Sequence, residues 1–348
     1  MVWKENMLLK DFRPRSKLVV KTTTVQKPRF PVIDAHNHLG DFGGGWNKRP
    51  LSELLDNLDE VSVTRYIDLD GGWGEKILQT HLDCFKAKSQ DRFQVFGGID
   101  WNSWVEQGDA FPEWAAERLR VQVRWGAQGL KVWKPFGLKV RDPQGNLVKV
   151  DDSRLDPIWQ TAAELNLPVL IHVADPVAFF DPIDNHNERW EEIGANPDWA
   201  FTSPPFPPFL EIVNGLANLV ARHPRTIFIG AHVGCYPENL GWVSNVLDRC
   251  PNFYVDFSAR IAELGRQPYT SRRFFMNYAD RILFGTDCGP NPEMYRIYYR
   301  FLETDDEYFN PNMGEIPWQG RWFIYGLYLP DEVLKKVYFQ NAERVLQR

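Results

Sequence analysis

The chain is short of the features that mark several protein classes. Its four cysteines (Cys84, Cys235, Cys250 and Cys288) have no Cys-x-x-Cys spacing, so neither a disulfide framework nor a zinc ribbon is indicated. They suit a reducing compartment. No apolar run reaches the roughly 18 residues that a membrane-spanning helix needs. Met1–Lys10 lacks both the apolar core and the small-residue cleavage site of a signal peptide. There is no Lys/Arg block, and the net charge is −6, which argues against nucleic acid as a partner. No Gly-x-Gly-x-x-Gly follows the first apolar run, so a dinucleotide fold is disfavoured. The expectation is a cytoplasmic protein that handles a small molecule, with neither nucleic acid nor membrane as partner.

Aromatic residues are plentiful: 14 Trp, 12 Tyr and 23 Phe. After a polar arm over 1–30, short apolar runs recur with helical segments between them. The candidate strands are Val32–His36, Thr64–Leu69, Phe93–Ile99, Gly129–Trp133, Pro168–Val173, Thr226–Ala231, Phe253–Phe257 and Arg281–Gly285. They are largely non-alternating, as parallel strands covered on both faces should be. The intervening segments have helical spacing, for instance Leu51, Leu54, Leu55 and Leu58, with Asn47 or Ser52 as candidate starts. Asp156-Pro157 opens another helix, and Phe209–Arg222 and Glu238–Arg249 read as two more. Strand–helix alternation of this kind predicts a single (β/α)₈ TIM barrel over 31–348. Long insertions are expected after strands four, five and eight. The first, 138–150, reads as a β-hairpin; the others, 176–208 and 290–330, read as aromatic-rich lids or subunit contacts that leave room for a homodimer.

The most informative residues stand where these runs end. His36 and His38 lie two apart on strand one and so share a face. His172 ends strand five, His232 ends strand six and Asp287 ends strand eight. A closed barrel aims those ends at one cavity, and neutral imidazoles with a carboxylate are an ordinary set of divalent-metal ligands. Any one of them alone reads as a core histidine. Asp70, Asp100 and Asp256 also end strands, either as partners orienting the imidazoles or as helix caps. Lys131 lies within strand four, and Arg260 follows strand seven as either a bidentate carboxylate partner or a surface ion pair. Trp73, Trp101 and Trp133 are candidates for an apolar pocket wall. Cys235 and Cys288 read as small buried residues.

In this order of residues the chain resembles the amidohydrolase superfamily. The segments Pro31-Val-Ile-Asp-Ala-His-Asn-His38, Leu167-Pro-Val-Leu-Ile-His172, Gly230-Ala-His-Val-Gly234, Ile282-Leu-Phe-Gly-Thr-Asp287 and Asn341-Ala-Glu-Arg-Val-Leu346 are similar to its amidohydrolase-related branch, which contains hydrolases and non-oxidative decarboxylases. The resemblance implies one divalent ion, zinc by expectation, on His36, His38, His172 and Asp287. His232 would then be the acid/base beside it, and Asp287 the proton acceptor. It also allows a second ion if Lys131 is carboxylated. Read from the residues, Lys131 is otherwise a cation for a substrate carboxylate, with Arg260, Trp73 and Trp133 as further substrate contacts, or a simple ion pair. The leading expectation is a metal-dependent hydrolase of an amide, lactone or ester of a small organic acid. The alternative is a decarboxylase of an unsaturated or aromatic acid. A barrel that binds without catalysis ranks behind both, because the ligand set is complete.

Overall fold

The computed structural model describes residues 7–8, 11–41, 43–89, 91–314 and 319–346. Eight strands follow one another: β1 (Val32–Asn37), β2 (Val63–Asp68), β3 (Phe93–Val95), β4 (Leu130–Val132), β5 (Val169–Ile171), β6 (Phe228–Gly230), β7 (Phe253–Asp256) and β8 (Ile282–Leu283). Every paired neighbour is parallel, in a three-stranded sheet β1-β2-β3 and a five-stranded sheet β4 to β8. Single contacts join the two sheets into a ring. The Gly97–Leu130 bridge connects the β3 side to β4. Across the other seam, Ala35 N donates to Phe284 O and Asp287 N donates to His36 O, both at 2.9 Å. The result is a TIM barrel.

A helix follows each strand: α1 (Leu51–Glu60), α2 (Glu75–His81), α3 (Phe111–Trp125), α4 (Asp156–Glu164), α5 (Phe209–Arg222), α6 (Leu240–Arg249), α7 (Pro268–Asn277) and α8 (Pro292–Glu303). Their apolar stripes cover the outside of the sheet. In α5, Ile212, Val213, Leu216, Leu219 and Val220 are all buried, each contributing on the order of 1.5–3 kcal/mol. Local chemistry sets the starts. α1 begins after Pro50, not at Asn47 or Ser52, and α6 begins at Leu240 because Asn239 Oδ1 accepts from Trp242 N. Pro157 sits in the first turn of α4, where its missing N–H costs nothing.

Two insertions differ from expectation. The segment 138–150 turns back on itself but forms one bridge, Arg141–Leu147, in place of a two-stranded hairpin. The segment after β8 is not a lid throughout, since it starts with α8. There Tyr295, Tyr298 and Tyr299 pack inward around Phe284 and belong to the core. Trp318 lies outside the described residues. The segment after β5 folds into short helices around a cluster of Phe179, Phe180, Trp199, Phe201 and Phe206. Residues 12–31 form neither helix nor strand and lie along the body, held by Thr23 to Asp306 and by Arg29 to Asp331. Among the described residues no helix is long and apolar enough to cross a membrane.

Candidate active site

β1 carries His36 and His38 to the C-terminal end of the barrel, where both are buried. His36 Nδ1 donates to Asp256 Oδ2 at 2.9 Å, and His38 Nδ1 donates to Asp70 Oδ1 at 2.7 Å. β6 ends in a left-handed turn, with His232 at φ 55° and Val233 at φ 61°. Such backbone costs about 1–3 kcal/mol per residue and persists only where the surroundings hold it. Here Asp256 Oδ1 accepts from His232 N, while His232 Nδ1 donates to Ser258 O at 2.8 Å. Asp287, also at positive φ (53°), follows β8.

With three Nδ1 atoms committed as donors, the Nε2 lone pairs are the ones that could ligate, that of His36 also meeting Lys131 Nζ at 3.2 Å. All face Asp287: His36 at 3.9 Å, His38 at 3.4 Å and His232 at 3.7 Å. These gaps are long for hydrogen bonds. They suit ligands of a shared ion, since bonds of about 2.0–2.1 Å in a tetrahedron put donor atoms roughly 3.3 Å apart. Donor atoms of His36, His232 and Asp287 all lie within 4.8 Å of one another. Burial holds His36 and His232 well below the usual imidazole range, so both rings are neutral and ready to ligate. Burial pushes the Asp287 carboxyl up. Gly285 is required at its position: a Cβ there would stand 2.9 Å from His36 Cβ.

His172 sits differently. Its ring centroid is 4.4 Å from that of His232, but Nε2 donates to Ala174 O at 3.1 Å and lies 3.4 Å from Asp175. A metal bond from this ring would use Nδ1. Burial takes His172 down to about 4. Burial alone would raise Asp175, yet the contacts with His172 and Lys134 outweigh it and hold the carboxyl below the usual range; Lys134 Nζ donates to Asp175 at 2.6 Å. The set that converges on Asp287 is therefore His36, His38 and His232, with His172 alongside.

Lys131 is buried, with Nζ 3.2 Å from His36 Nε2 and 5.2 Å from the Trp133 ring. Burial lowers its amine to about 8. The Trp133 ring lies 4.8 Å from that of His38. Arg260 is 6 % exposed, which rules out a surface ion pair. Its Nη1 donates to Ala259 O, Nη2 is 3.8 Å from Asp175, and Nε has no hydrogen-bond partner among the described residues.

Other candidates fall outside this centre. Asp100 accepts from Asn102 N and Ser103 Oγ and so caps its own loop, whereas Asp70 and Asp256 do orient histidines. Trp101 stacks on Phe136, and Trp73, 40 % exposed, borders a crevice with Asp100 and Trp114. Burial raises the Cys235 and Cys288 thiols to about 11 and about 12, as suits packing residues. Sequence reasoning missed Asp175, Lys134 and Ser258. The one available signal was a carboxylate three residues after His172.

Fold and centre together define an α/β-barrel enzyme built around a histidine–aspartate cluster. The chain belongs to the amidohydrolase family, whose sequence profile matches residues 100–348. The match starts after β3, so geometry alone joins His36 and His38 to it. No curated protein sequence matches the chain. Among solved structures it is similar to an uncharacterised TIM-barrel protein from Bordetella bronchiseptica (15 % identity, 91 % of this chain and 98 % of that one, TM-score 0.55). It is also similar to 2,6-dihydroxybenzoate decarboxylase from Rhizobium (17 %, 91 % and 98 %, 0.55). A third is dihydroxybenzoic acid decarboxylase from Polaromonas sp. JS666 with bound manganese and 2-nitroresorcinol (17 %, 91 % and 97 %, 0.56). At these identities the likeness establishes the fold.

Proposed function

We propose that the protein is a divalent-metal-dependent, non-oxidative decarboxylase of an aromatic carboxylic acid. The observation that carries this reading is Arg260, a buried guanidinium with an unpartnered Nε beside the histidine–aspartate cluster. A buried donor without a partner is costly, at about 1–3 kcal/mol, and a substrate carboxylate would satisfy it side-on through Nε and Nη2. Trp133, against His38, offers a face for a ring. Two of the similar folds are named as decarboxylases of dihydroxybenzoates, which supports the same class.

His36, His38, His232 and Asp287 would hold the ion, with His172 able to join through Nδ1. Manganese or zinc would supply positive charge to bind the acid and stabilise the electron-rich ring. Asp287 would hand a proton to the carbon that loses CO₂ and recover one from solvent, while His232, whose Nδ1–H is held by Ser258 O, keeps its Nε2 lone pair for the ion. The balance is one proton consumed and one CO₂ released per substrate. Hydrolysis of an ester, lactone or amide remains the second reading, favoured by the family profile itself; it would use Asp287 to take a proton from water.

The test is a panel of hydroxybenzoates and of small esters, lactones and amides, offered to protein loaded with Mn²⁺ or Zn²⁺. CO₂ with loss of the substrate carboxyl is expected. A new carboxylate without CO₂ would overturn decarboxylation in favour of hydrolysis.

A further inference from the structure

The seam between β8 and β1 separates two of the groups that must meet at one ion: His36 belongs to β1, and Asp287 follows β8. Few backbone bonds cross it. One side chain does much of the remaining joining. Asp34 is fully buried, and its two oxygens accept from both sides of the seam. Oδ1 accepts from His36 N at 3.1 Å and from Thr286 N at 3.3 Å. Oδ2 accepts from Asn37 Nδ2 at 2.7 Å, from Thr286 Oγ1 at 2.8 Å and from Tyr295 Oη at 2.6 Å. That saturates a carboxylate, which has about four lone-pair sites. The net extends further: Thr286 Oγ1 accepts from Asn37 Nδ2, and Asn37 Oδ1 accepts from Gly289 N. Residues 286 and 289 are thus fixed on either side of Asp287, which itself holds the unfavourable positive φ.

We propose that Asp34 is a positioning residue for the metal centre. By clamping the chain on both sides of the seam, it sets the separation of His36 Nε2 and Asp287 at which one divalent ion is held. This rests on the reading that these groups bind metal. A neutral amide cannot replace the carboxylate, because its NH₂ would face donors such as His36 N or Tyr295 Oη.

The experiment is a competition titration of Zn²⁺ against a chromophoric chelator, using wild type, Asp34→Asn and Tyr295→Phe, with circular dichroism of the metal-free proteins to establish folding. Wild type should bind zinc. Asp34→Asn should be folded yet bind roughly ten- to a hundred-fold more weakly, the usual penalty for losing an orienting partner. Tyr295→Phe, which removes one of the donors, should fall between. A purely structural role would lower the melting temperature and leave the affinity of the folded protein unchanged, and that result overturns the proposal. If Asp34→Asn does not fold, Thr286→Val decides: weakened binding supports the clamp, and wild-type affinity overturns it. A wild type that binds no zinc would overturn the metal reading itself, and the clamp with it.

Discussion

Lys131 Nζ lies 3.2 Å from His36 Nε2, the nitrogen that also faces Asp287. An ammonium and a metal cannot share that lone pair. Burial has already lowered the amine to about 8, so losing its proton as an ion arrives costs little near neutral pH. Metal content per chain, measured on protein purified without added metal, should be about one ion in both wild type and Lys131→Ala. Two ions in wild type, falling to one or none in the variant, would instead indicate a carboxylated lysine bridging a pair.

Among the described residues, Asp287 is the one carboxylate whose oxygens face three imidazole Nε2 atoms in this centre. Asp287→Asn keeps the shape and removes the proton carrier. Turnover should fall by roughly 10²–10⁴-fold in metal-loaded protein, the range for losing a general acid or base. An unchanged rate at equal metal content would end this assignment.

The strands were legible in the sequence because parallel strands buried on both faces leave unbroken apolar runs, and each of β1 to β8 falls within or against its expected run. The ligand candidates were legible because a barrel gathers strand ends. Asp70 and Asp256 were legible as orienting partners for the same reason, but which histidine each meets was not, nor was the pair Lys134 and Asp175, 41 residues apart. No local pattern encodes such pairings. The tyrosines of α8 did carry a signal that was overridden. Tyr295, Tyr298 and Tyr299 have helical spacing, but the stretch reads as one long aromatic-rich insertion.

His81 and Asp68 form a second buried pair behind the site, with Nδ1 and Oδ2 2.5 Å apart. Burial alone would lower the imidazole, but the hydrogen bond and charge of Asp68 raise it above 6.5. A raised folded pKa gives stability that is full below the unfolded value and is lost as pH climbs through the folded value. His81→Gln should therefore cost on the order of 3 kcal/mol at pH 6, as expected for breaking a buried pair, and distinctly less at pH 9. Urea unfolding of both proteins at fixed metal content measures this. A cost that does not change with pH would show that the pair is not ionised.

Arg260 separates substrate recognition from support of the fold. If its Nε and Nη2 seat the substrate carboxylate, Arg260→Met removes charge-assisted hydrogen bonds worth about 1.5–3 kcal/mol, or roughly 10- to 150-fold in kcat/KM. Much of that loss should lie in KM. Arg260→Lys keeps the charge but not the planar fork, so it should recover only part of the loss. Metal content should not change, since Arg260 contacts Ala259 O and Asp175 and none of the converging imidazoles. The decisive comparison is binding of an aromatic carboxylate and of its uncharged amide to each protein. A recognition role predicts that Arg260→Met weakens the carboxylate and spares the amide. Equal weakening of both would mean that the guanidinium supports the barrel end and leaves the acid to another cation.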